Sequence, residues 1–128
     1  ANTVKPDVLI TGIKIFGKSV PITKYGILNE SISLTKQIEL AYNQNDITIE
    51  YVGLHYKNPK KNKYAYKLEP YEKEWKYVGN IRNAHYTNLS AGEYTFYAKA
   101  SNSDGVWNEK GKQLSIIISP PWWETTWA

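Results

Sequence analysis

The sequence predicts an all-β fold, an antiparallel sandwich of about seven to nine strands. Three observations carry this. Apolar side chains recur at period two in short runs: Tyr64, Tyr66 and Leu68 share one parity, and Tyr94, Phe96, Ala98 and Ala100 do the same further on. Each run therefore lines one face of a strand. Turn-forming clusters separate the runs at short spacing, notably Asn43-Gln44-Asn45-Asp46, Leu89-Ser90-Ala91-Gly92 and Asp104-Gly105. No helical periodicity persists beyond a turn.

In chain order, residues 1–6 read as a lead-in. Residues 8–16 are apolar and β-branched and form the first expected strand, with Gly12 as its bulge. Residues 17–30 carry Gly17, Pro21 and Gly26 and read as loop with a short edge piece. Ile32 and Leu34 alternate with polar residues, and Ile38, Leu40 and Tyr42 continue as a strand up to the 43–46 turn. Ile47, Ile49 and Tyr51 share a face, after which the apolar parity switches to Val52, Leu54 and Tyr56. A bulge at Val52-Gly53 is the expected cause. Residues 57–63 form a basic loop. Strands follow at 64–69, 75–78, 85–88, 92–101 and 114–119, the last two joined by a hairpin whose Gly105 supplies positive φ.

Length and composition set bounds. One domain of this size buries roughly two thirds of its unfolded surface, enough for a two-layer core without staples. The chain has no Cys, which excludes disulfides and thiolate metal sites. A net charge of +4 with both signs interspersed describes an ordinary soluble surface with mild attraction to polyanions. These 128 residues contain no signal-peptide pattern and no run of 18 apolar residues, which says little about the longer protein. The chain has no Met, not even at position 1, and stops at Trp127-Ala128, as expected of a piece cut from a longer protein.

Candidate chemistry is sparse. His55 and His85 have no convergent ligands by spacing, so no metal site is expected. Glu69, Glu72 and Glu74 flank a turn near Trp75 and read as a solvated face, not as the paired carboxylates of a glycosidase. No phosphate-binding glycine loop and no nucleophile elbow is present. No catalytic residue, cofactor or metal is therefore assigned. Lys57, Lys60, Lys61 and Lys63 read as a soluble hairpin tip, and the single Arg, Arg82, argues against nucleic acid.

Aromatics dominate the rest: 11 Tyr, 5 Trp and 2 Phe. Tyr64, Tyr66, Tyr86, Tyr94, Phe96, Trp75 and Trp107 stand at alternating or turn-anchoring positions and are expected to be structural, the two Trp as core anchors. Tyr25, Tyr71, Tyr77 and Tyr97 are the better candidates for a contact surface. Tyr94, just after Gly92 and opening a penultimate strand, has the setting of a tyrosine corner, whose phenol bonds back across an immunoglobulin- or fibronectin-III-like sandwich.

At these residues the chain resembles the three-Tyr (Y_Y_Y) domain of bacterial hybrid two-component sensors. The family pattern is Tyr-x-Tyr-x-Leu-Glu, a Trp, Tyr-Thr-Asn-Leu-x-x-Gly-x-Tyr, Ala-x-Asn and Gly-x-Trp. Here it falls on Tyr64, Tyr66 and Leu68, then Trp75, then Tyr86, Asn88, Leu89, Gly92 and Tyr94, then Asn102, Gly105 and Trp107. Ile116-Ile117-Ile118 and Pro120-Pro121-Trp122 match the family's end, and Asn45-Asp46-Ile47 and Gly53-Leu54 match more loosely. One departure is Pro70, where the family commonly has Gly after Leu-Glu.

The resemblance implies a membrane-proximal extracytoplasmic domain, in the periplasmic part of an inner-membrane sensor histidine kinase that feeds a phosphorelay. It implies β-propeller repeats before it, oligosaccharide as the usual input, a homodimer and a transmembrane helix after it. Residues 1–119 are then the sandwich and 120–128 a juxtamembrane segment. The tail itself points the same way: Pro120-Pro121 precede Trp122, Trp123 and Trp127, and Trp favours the membrane–water interface. The expected work is mechanical, holding two protomers together and passing a rearrangement to the membrane. The alternative is a carbohydrate-binding module whose exposed aromatics stack on glycans.

Overall fold

The computed structural model describes residues 7–23, 26–28, 30–54, 62–102 and 105–121. Tyr25, His55, Lys57, Lys60, Lys61, Asp104, Trp122, Trp123 and Trp127 lie outside the described residues.

The period-two runs become β1 (Asp7–Ile15), β2 (Lys18–Ser19), β3 (Gln37–Leu40), β4 (Ile47–Leu54), β5 (Lys63–Glu69), β6 (Lys76–Gly79), β7 (Asn83–Tyr86), β8 (Gly92–Ser101) and β9 (Lys112–Ile118). They form a four-stranded sheet in the order β2-β1-β4-β7 and a five-stranded sheet in the order β3-β9-β8-β5-β6. All pairings are antiparallel except that of β3 with β9. The chain crosses between sheets five times (β2 to β3, β3 to β4, β4 to β5, β6 to β7 and β7 to β8), the interleaved order of an immunoglobulin-like sandwich.

The core lies between the inner faces. Ile10, Ile13, Ile47, Ile49 and Tyr51 come from one sheet, and Tyr64, Leu68, Phe96, Leu114, Ile116 and Ile118 from the other. Each fills the inward positions of its strand, as alternation requires.

Two local expectations are corrected. Ile32 to Leu34 form a short 3-10 turn rather than strand. Ile32 is buried and Leu34 is exposed, so one apolar residue anchors the turn and extended pairing begins only at Gln37. The bulge expected at Val52-Gly53 is absent; the register of β1 against β4 shifts only between Ile10 and Gly12. Gly53 stays inward because a Cβ there would lie 3.2 Å from both the Tyr64 ring and the Ala100 methyl. The inward parity Ile47, Ile49, Tyr51, Gly53 is thus continuous, and a missing side chain at position 53 mimicked a switch. After β5 the chain turns through a cis Glu69–Pro70 bond, and the Glu72 N–H donates to the Leu68 carbonyl.

Candidate functional site

The inner aromatic cluster is built from strand alternation. Tyr51 on β4 stands edge-on to Tyr64 on β5, with ring centres 5.2 Å apart, and Tyr66 and Phe96 pack beside it. The phenols are satisfied locally. The Gly53 N–H donates to the Tyr64 oxygen at 3.0 Å, and the Tyr51 hydroxyl donates to the Ile81 carbonyl at 2.8 Å. The Tyr86 hydroxyl donates to Glu72 at 2.8 Å. That carboxylate also accepts the Leu68 N–H at 3.1 Å and pairs with Lys76 at 3.2 Å. Glu72, read from sequence as part of a solvated face, is therefore a half-buried strut. Burial pushes the Tyr51 and Tyr86 phenols well above the ordinary tyrosine range, and for Tyr86 the Glu72 carboxylate adds to the effect.

The junction between β7 and β8 is closed by Tyr94. Its hydroxyl donates to the Ser90 carbonyl at 2.6 Å, and its ring is half-buried. Asn88 turns the chain with φ of 54°, and Leu89 is buried beneath it. Past β8, the buried Asn102 accepts the Val106 N–H on its side-chain oxygen at 3.0 Å, and Gly105 has φ of 80°.

Trp75 and Trp107 are not core anchors. Both are half-buried on the outer face of the five-stranded sheet, because they bracket the outward residue Lys99 of β8. The Lys99 ammonium lies 4.4 Å from the centre of the Trp75 ring and 5.3 Å from those of Tyr77 and Trp107. Glu109 closes the cage, with both carboxylate oxygens within 2.8 Å. Lys99 is 4% exposed, unusual for a lysine and sustained here by four partners. Burial alone would lower its pKa, but the bonds it donates to Glu109 and Tyr77 outweigh that and the net shift is upward. A neighbouring group repeats the motif: Lys67 lies 5.0 Å from the Trp75 ring and 5.3 Å from Tyr97. Beside it lies a shallow depression of about 290 Å³, lined by Lys67, Trp75, Tyr97, Lys110, Lys112 and Gln113 among others.

The two ends of the sandwich differ. Asp7 pairs with Leu54 at one end. At the other, Ile118 pairs with both Gly92 and Leu40, and the Ser119 N–H donates to Leu40 at 2.9 Å before Pro120 and Pro121. The chain thus enters at one end and leaves at the other. His85 lies toward the exit, its Nε2 2.9 Å from Asp46.

The sequence pattern of the Y_Y_Y domain matches residues 55–119. The chain belongs to the Y_Y_Y domain family. Over 128 residues it is 37% identical to histidine kinase P4 of Formosa agariphila, covering 99% of this chain and 9% of that protein. It superposes on the extracellular domain of the hybrid two-component system BT4673 of B. thetaiotaomicron with a TM-score of 0.81 and 32% identity, over 95% of this chain and 16% of that one. For the corresponding domain of BT3049 from the same organism, the TM-score is 0.72 and the identity 26%, over 91% and 16%.

Within this Y_Y_Y domain the motif residues divide by face. Tyr64, Tyr66, Leu68, Tyr86 and Leu89 are buried between the sheets, Tyr94 closes the corner, and Trp75 and Trp107 clad the outside. Sequence reading missed Lys67, Lys99 and Glu109. The available signal was parity: Lys67 and Lys99 occupy outward positions of β5 and β8 and fall on the same face as Tyr97.

Proposed function

We propose that this chain is the membrane-proximal, extracytoplasmic signal-transmission domain of a two-component sensor histidine kinase. In this reading the kinase and phosphorelay lie elsewhere in the receptor, β-propeller domains before residue 1 sense an oligosaccharide, and this piece joins two protomers and couples them to the membrane. The similarity to a histidine kinase and to extracellular domains of hybrid two-component systems supports the receptor context. The observation that carries the coupling role is the last strand. β9 is paired on both sides, by β3 and β8, as far as Ile118, the Ser119 N–H adds a bond to Leu40, and the strand passes straight into Pro120-Pro121 with no Gly between. Both prolines fix φ, so displacement of the sandwich is handed on and not absorbed. Such a signal is a population shift between arrangements of a dimer.

The test lengthens the joint. Insertion of a few Gly after Ser119 in the full receptor is expected to abolish ligand-dependent signalling while leaving the domain folded. Unchanged signalling overturns the coupling role. A glycan-stacking role for the surface aromatics has less support, because Trp75, Tyr77, Tyr97 and Trp107 already hold Lys67 and Lys99.

A further inference from the structure

The turn between β1 and β2 consists of Phe16 and Gly17, flanked by the pair Ile15 and Lys18. Both turn residues have positive φ, 50° and 78°. That is the pattern of a type I′ hairpin, where Asn, Asp or Gly normally leads because other side chains are crowded in the left-handed region. Phe is a costly choice there, and more than half of its surface stays in solvent, at 58% exposed. A strained position that displays an apolar ring points to a role for the ring outside the fold.

The location says which role. The Phe16 N–H donates to the Asp46 carbonyl, which places the tip beside the 41–46 turn at the end where β9 leaves. Tyr42 in that turn is 41% exposed. Tyr71, after β5, is 60% exposed and packs edge-on to Tyr86, whose backbone pairs with Ile47 at the same end. Two carboxylates here are matched internally, Asp46 by His85 and Glu72 by Tyr86 and Lys76. β1 begins at the opposite end, where Asp7 pairs with Leu54, whereas β9 leaves at this one beside Leu40. What this end faces is whatever the chain approaches after Pro121.

We propose that the exit end of the sandwich is itself a bilayer-docking surface, with Phe16 inserting at the tip and Tyr42 and Tyr71 at headgroup level. This rests on the reading that the chain enters a membrane beyond residue 121. Phe supplies apolar area to the acyl boundary, and Tyr keeps its hydroxyl in the headgroups. Docking would hold the long axis of the sandwich against the membrane, so that tilting works against a surface as well as through the Pro120-Pro121 joint.

The chain has no Cys, so Lys18→Cys carries a single environment-sensitive fluorophore beside the tip, and Asn80→Cys carries one at the far end. Each labelled 128-residue chain is titrated with mixed phosphatidylcholine–phosphatidylglycerol vesicles, with co-sedimentation measured in parallel. The expected result is a blue shift at position 18 and none at position 80. Phe16→Asn should abolish the shift and weaken partitioning about tenfold or more. Because Asn-Gly suits the turn, the same variant should melt no lower than the parent, which separates docking from folding. Co-sedimentation with position 18 left in water overturns docking while the membrane-entry reading stands. Absence of any vesicle binding overturns docking and leaves membrane entry, which belongs to the chain after residue 128, untouched. A shift at position 18 that depends on protein concentration and not on vesicles assigns the surface to a second copy and also overturns the proposal.

Discussion

Lys99 and Trp75 face each other across the outer sheet, the ammonium 4.4 Å from the centre of the indole, with Glu109 bridging from the far side. The two contacts are unequal. Glu109 is 65% exposed and its ion pair is open to solvent, whereas Lys99 is almost fully covered. Lys99→Met keeps the stem and removes the charge, and should cost about 1–2 kcal/mol from lost cation–π contacts. Glu109→Gln should cost at most about 1 kcal/mol. Urea denaturation followed by Trp fluorescence ranks them, and an equal or reversed order sinks the cage as a stabilising unit.

Trp75 provides a second comparison. As a half-buried plate over Lys99 and Lys67 it should tolerate truncation better than a core ring. Trp75→Ala is expected to cost about 1–2.5 kcal/mol, against about 3–5 kcal/mol for Phe96→Ala, whose ring is fully enclosed. Equal losses in guanidinium unfolding would mean that the indole is part of the core after all.

Tyr94 isolates one hydrogen bond. Its ring packs partly on the core, and its hydroxyl reaches Ser90 four residues back. Phe at this position keeps the ring contacts and leaves the Ser90 carbonyl to water. The loss should be about 0.5–1.5 kcal/mol, the net worth of one such bond. A neutral result in chemical denaturation removes the corner as an energetic feature.

What was legible in the sequence follows the physics of alternation. Period two marked the strands because a sheet with one buried face imposes it, and the 92–101 run falls on β8 with both bounds intact. It failed where a position is silent. Gly53 has no side chain to count, so inward parity seemed to break there although Tyr64 and Ala100 fill its place. Ile32 and Leu34 alternate by coincidence in a 3-10 turn. The outer cage was harder still. Indole is read as core by its size, and only the register that sets Lys99 opposite Ala65, beside Tyr77, shows that cations hold the two Trp outside. The strained Phe16 turn was equally hidden, since Phe-Gly carries no type I′ signal.

The buried phenols set the alkaline limit of the fold. Burial raises Tyr51, Tyr86 and Tyr66 above their ordinary value of 10.0, so each stays protonated in the folded state when the unfolded chain has ionised. The sign follows directly. Above pH 10 the unfolded state binds fewer protons than the folded one, and stability falls with pH. Below pH 10 the contribution is complete and flat. The fall begins near pH 10 and runs up through the raised folded values, at about 1.4 kcal/mol per pH unit for each phenol that cannot ionise. Lys76 and Lys99, both raised, lose their contribution in the same direction above 10.5. Tyr86→Phe separates the sources. At neutral pH it removes the bond to Glu72 and should cost about 1 kcal/mol, leaving that carboxylate with the Leu68 N–H and Lys76. Above pH 10 it removes one phenol from the titration, so its stability should decline less steeply and overtake that of the parent within about one pH unit. Urea midpoints from pH 7 to 11.5 test this. Parallel curves for parent and variant would show that the alkaline loss does not come from this hydroxyl.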